Sequence, residues 1–87
     1  MNQQSFGVSL TQPQRVAIAE LLPQLADRLK LDIECQVRIE FTVSIMQAIW
    51  WAAGEAVPTA SSGMKRNSLQ HIIAAFRQAI EDAHGIA

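Results

Sequence analysis

Two adjacent tryptophans, Trp50 and Trp51, are the side chains in this chain best suited to hold a partner. An indole offers a large apolar face with one polar edge, and tryptophan is enriched where binding energy concentrates. Taken as a helix, the surrounding segment sets Trp50 in a stripe with Met46, Ala53 and Val57, and Trp51 beside Gln47 and Glu55. Aromatic clusters in small domains ordinarily pack in the core, and that is the first expectation for both indoles. The sharper expectation is that Trp51 anchors a partner chain or a ligand. A small molecule would then sit in a pocket lined by Trp50, Trp51 and Phe76.

A second candidate is the segment SSGMKRNS, where Lys65 and Arg66 precede a helical pattern. Helix N-termini present free amides and the positive end of the helix dipole, so an anion could be held there, with the two cations at the mouth of the tryptophan pocket. The spacing is not that of a phosphate-binding P-loop. His71 and His84 lie far apart, and Glu81 and Asp82 before His84 read as a solvated face near a helix end, so no metal and no cofactor are expected. Asp32, Glu34 and Glu40 alternate on one polar side, the pattern of a solvated sheet face rather than of an acid–base pair.

Composition narrows the classes further. The chain has 87 residues, 49% of them hydrophobic, with seven Lys and Arg against eight Asp and Glu. That is one globular domain, 1–87, without the basic excess of a nucleic-acid-binding or membrane surface. The single cysteine, Cys35, excludes an intrachain disulfide and falls on the apolar side of its segment, as a small hydrophobe would. The opening MNQQSFGVS lacks the basic and apolar regions of a signal peptide, and no apolar run reaches the roughly 20 residues of a membrane span. A cytoplasmic protein is expected.

These residues need elements to position them. From Leu31 to Ile45 every odd position is apolar and every even position polar. On a helix the charges would scatter around the whole circumference; on a strand they share one face. A strand is expected over 31–43. Phe6, Val8 and Leu10 alternate likewise and predict a shorter one near 5–10. Thr11 and Gln14 have the spacing of a capping box, and Ile18, Leu21, Leu22, Leu25 and Leu29 continue one face, so a helix is expected near 12–30. Pro23 interrupts it at a cost of about 3 kcal/mol, which predicts a kink or a break there. Ser44 with Gln47, and Asn67 with Gln70, repeat the capping signature and predict helices near 45–57 and 68–84.

The expected architecture is α+β, a small sheet with the helices on one face; the alternative is an all-α three-helix bundle. The two strands would run parallel, joined by the first helix as a right-handed crossover. A long strand with one uncovered edge invites pairing with a second copy. In a two-fold register centred on Gln36, Glu34 would face the other copy's Arg38, with Trp51 nearby. The functional expectation is a small non-enzymatic binding or assembly module, homodimeric through this edge and open to a protein partner. The alternative is a small-molecule- or anion-binding protein.

Overall fold

The computed structural model describes residues 4–85. The two alternating segments form strands β1 (Ser5–Leu10) and β2 (Val37–Thr42), and they pair with each other. Phe6, Val8 and Leu10 stand opposite Phe41, Ile39 and Val37, which gives the sheet one wholly apolar face. Ser5, Gly7 and Ser9 stand opposite Thr42, Glu40 and Arg38 on the other face. Val8, Leu10, Ile39 and Phe41 are buried, while Ser9, Arg38 and Glu40 are exposed. The period-two pattern thus does what its chemistry requires: it puts one face on the core and one in water.

Two strand expectations are corrected. The pairing is antiparallel, not parallel, with Leu10 opposite Val37. The end of β1 and the start of β2 therefore lie side by side. The chain between them does not make one crossover helix; it breaks at Leu22 and folds back. The second strand is also shorter than the expected 31–43; it spans six residues, each paired with one of β1. In residues 31–36 the carbonyls of Leu31, Ile33 and Cys35 turn elsewhere, as described below.

Helix α1 (Gln12–Leu21) opens on the expected capping box. The Thr11 hydroxyl accepts from the Gln14 amide at 3.4 Å, and Gln14 Oε1 accepts from the Thr11 amide at 2.9 Å. Pro13 occupies the first turn, where its missing N–H costs nothing. The break at Pro23 is present, and the chain beyond it, Pro23–Leu29, is a 3-10 helix. Its end is Lys30, in the left-handed region at φ 53°. The apolar stripe stays in phase across the break, so Ile18, Leu25 and Leu29 are all buried.

Helix α2 (Val43–Ala56) follows β2 without a loop. Thr42 is both the last strand residue and the helix cap, its hydroxyl accepting from the Ile45 amide at 3.3 Å. Ser44, read as the cap, lies inside the helix. A short 3-10 turn, Val57–Thr59, holds Pro58. Helix α3 (Gly63–Gly85) starts well before the expected 68, capped by Ser62, whose hydroxyl accepts from the Lys65 amide at 3.2 Å. Met64 to Asn67 are exposed, so no apolar period marks this extra first turn.

The helices cover the apolar face of the sheet and enclose one core. Met46, Ile49 and Ala53 of α2 meet Leu69, Ile72 and Phe76 of α3 there, with Ile18 of α1. Phe41 and Phe76 join sheet to helix, their rings edge to face with centroids 5.4 Å apart and planes at 71°. That geometry is favoured by the ring quadrupoles. Among the described residues no helix is long and apolar enough to cross a membrane.

Candidate functional site

The most constrained polar group in the molecule is one that the sequence pattern did not single out. Arg15, in the second turn of α1, is completely buried. Its guanidinium faces no carboxylate. Nε donates to the Leu10 carbonyl at 3.4 Å. Nη1 donates to the carbonyls of Leu29 at 3.2 Å and Lys30 at 2.5 Å. Nη2 donates to those of Ile33 at 2.8 Å and Cys35 at 2.7 Å. A guanidinium has five N–H donors, and here each has an acceptor. Gln12 adds a sixth tie, its Nε2 donating to the Leu31 carbonyl at 2.9 Å.

Burying an ion costs several kcal/mol unless hydrogen bonds replace its water. The carbonyl dipoles supply that replacement, and among the described residues no buried side-chain nitrogen or oxygen is left without a partner. The consequence reaches well beyond α1. Arg15 fastens the end of β1, the end of the 3-10 helix and the approach to β2 to one point. The alternating segment 31–36 is accordingly not strand: the carbonyls of Ile33 and Cys35 are turned to the guanidinium, and that of Leu31 to Gln12, rather than to a neighbouring strand. Cys35 is exposed, contrary to its place in the alternation. Arg15 is a clamp of the fold, and its saturation leaves it no donor for a substrate.

Both tryptophans are exposed, not core residues: Trp50 at 40% and Trp51 at 64% of their full surface. The reason is rotation around α2. Met46, Ile49 and Ala53 form its buried face. Trp50 and Trp51 follow Ile49 by one and two positions, which turns them successively about 100° further around the helix. The circumference is apolar almost throughout, but the core covers only one side of it. Trp50, Trp51, Gly54 and Glu55 of α2 and Ile73 of α3 line a shallow depression of about 260 Å³. Phe76 does not join them; it is fully buried against Phe41.

Lys65 and Arg66 lie in the first turns of α3, both exposed. Lys65 lines a different and larger groove, about 640 Å³, whose walls include Val16, Leu21, Ala60, Met64 and Leu69 and whose rim carries Glu20. The structure therefore does not bring the two cations to the mouth of the tryptophan depression. Glu34 and Gln36 precede β2 in the irregular segment, and both are exposed. Arg38 is on the exposed sheet face, where its Nε meets Glu40 Oε2 at 3.3 Å above Gly7. His71 and His84 are exposed, and among the described residues no three potential metal ligands gather.

Comparison of the chain with protein-family models, with curated proteins and with solved structures returns no match.

Proposed function

We propose that this chain is a small non-enzymatic binding and assembly module that forms a homodimer through the outer edge of β2. The observation that carries the reading is the sheet itself. Among the described residues it has two strands, and β2 pairs with β1 alone. A two-stranded sheet is the smallest unit that can exist, and its unpaired edge amides are a template for another strand.

The register expected from the sequence needs revision, because Glu34 and Gln36 lie outside β2. A two-fold axis through Ile39 replaces it. In that register Arg38 of each copy faces Glu40 of the other, twice, and Val37 faces Phe41. Both charges sit on the exposed face, so the pairs are worth about 0.2–1 kcal/mol each and act mainly on register. The existing Arg38–Glu40 contact within one chain is too exposed to compete strongly. The apolar faces of the two sheets would continue one another across the axis. The revised register does not need Trp51, which lies on α2 and not on the sheet edge.

Light scattering from micromolar to near-millimolar concentration tests this. A mass that rises to twice that of the chain supports the dimer; a constant monomer mass removes it.

A further inference from the structure

We infer that the depression between Trp50, Trp51, Gly54, Glu55 and Ile73 receives an arginine side chain of a partner protein. The inference deepens the binding-module reading and rests on it, but not on the dimer, since it uses a different surface. Three features of the depression carry it.

The first is Gly54. Glycine inside a helix costs about 0.5–1 kcal/mol relative to alanine. Nothing in the fold requires it here. Its φ is not positive, and a Cβ at this position would meet nothing within 4 Å. What the missing side chain does is keep open the floor between its neighbours one turn back, Trp50 and Trp51. A residue that weakens its own helix and relieves no packing conflict leaves a notch as its only structural product.

The second is charge. The walls are two exposed indoles and an isoleucine, and the one ionised group is Glu55. Among the described residues the salt bridges are Arg38–Glu40 and Arg77–Glu81, so Glu55 has no cation of its own. Arg77, one turn beyond Ile73 on α3, meets Glu81 at 3.4 Å and makes no ion pair with Glu55. Indole faces attract cations through the ring quadrupole, and a carboxylate at the rim adds the complementary charge. This is the opposite polarity to the anion site that Lys65 and Arg66 suggested.

The third is size and openness. At about 260 Å³ the depression is smaller than the roughly 300–1,000 Å³ of ordinary small-molecule sites, and it is open to solvent. It suits one side chain. Among cations, a planar guanidinium can stack on an exposed indole and still pair in bidentate fashion with a carboxylate, which a lysine ammonium cannot. A closed aromatic cage of the kind that holds quaternary ammonium is not built here.

The test uses the whole chain, 15N-labelled, with the indole N–H signals of Trp50 and Trp51 as reporters. The probe is the peptide acetyl-Gly-Arg-Gly-amide, compared with its citrulline and lysine analogues. The arginine peptide should shift both indole signals at millimolar concentration, with citrulline roughly 3- to 30-fold weaker. Glu55→Gln should weaken the arginine peptide by a similar factor. Gly54→Leu should abolish binding while raising Tm by roughly 3–6 °C, so loss of the site cannot be mistaken for loss of the fold. Equal response to citrulline or lysine, an unchanged response in Gly54→Leu, or no indole shift at all would overturn the arginine site. A chain that binds the peptide yet stays monomeric would leave the site standing and remove the dimer. A dimer blind to the peptide would do the reverse.

Discussion

Arg15 Nη2 donates to the carbonyl of Cys35 at 2.7 Å, joining a helix to the approach of a strand twenty residues later. Four more bonds from the same guanidinium tie in Leu10, Leu29, Lys30 and Ile33. Arg15→Met should cost roughly 3–5 kcal/mol, because it strands a buried set of carbonyls. A chain of this length has about 4–13 kcal/mol in all, so the variant sits near the unfolding threshold. Arg15→Lys should recover little, since an ammonium has fewer donors and no fork. Urea unfolding followed by far-UV circular dichroism reads both; a Lys variant with the parent midpoint would show that the fan of hydrogen bonds is not what matters.

The Phe41–Phe76 contact gives a second expectation. Either ring changed to alanine should destabilise by about 3–5 kcal/mol, since both are fully buried. The pair should also be coupled by about 0.5–1.5 kcal/mol beyond burial, because the edge-to-face geometry is lost with either partner. Phe→Leu changes in a double-mutant cycle keep the protein folded enough to measure this. Strict additivity would assign the contact to packing alone.

The sheet edge makes a third. Arg38→Glu opposes like charges twice in the register centred on Ile39 and should raise the dimer dissociation constant roughly 3- to 30-fold. Adding Glu40→Arg reverses both charges and should restore it. Sedimentation equilibrium at low salt compares the three chains. Rescue by the double change is the signature of this register, and a single variant as dimeric as the parent would exclude it.

A fourth concerns the first helix. Thr11→Ala removes one half of the capping box and should cost about 1 kcal/mol. The effect should fall on the equilibrium midpoint and leave the dependence on denaturant unchanged. A loss above about 3 kcal/mol would mean that Thr11 also supports the Arg15 clamp one turn away.

Local chemistry was readable where its cause was local. Thr11 and Gln14 marked the start of α1, Pro23 marked its end, and the apolar stripe of α3 marked its buried face. The alternation of 5–10 and of 37–42 predicted both strands and the face each buries. The same alternation over 31–36 does not make a strand, because a guanidinium eighteen and twenty positions earlier claims the carbonyls of Ile33 and Cys35, and nothing in a period of two reports that. A lone arginine among apolar residues on α1 was the available signal; it reads as an exposed charge until the acceptors are in view. The strand direction is equally absent from a period of two, which reads the same whichever way the neighbour runs. The exposure of the tryptophans is hidden by a different route. An all-apolar helix suggests burial on every side, but a chain this small does not have enough other elements to surround one. The notch at Gly54 combines positions from two helices, and its far wall, Ile73, belongs to a stripe that looked like core.

The join at Thr42 leaves strand and helix no slack: one residue ends β2 and caps α2. Wherever the edge of the sheet is fixed, the tryptophan-bearing helix is fixed with it. A pair of molecules sharing that edge would hold out two notches at a set spacing, like the teeth of a fork. A partner with two suitably separated arginines would then be gripped far more tightly than either notch alone allows, through avidity rather than through any new contact.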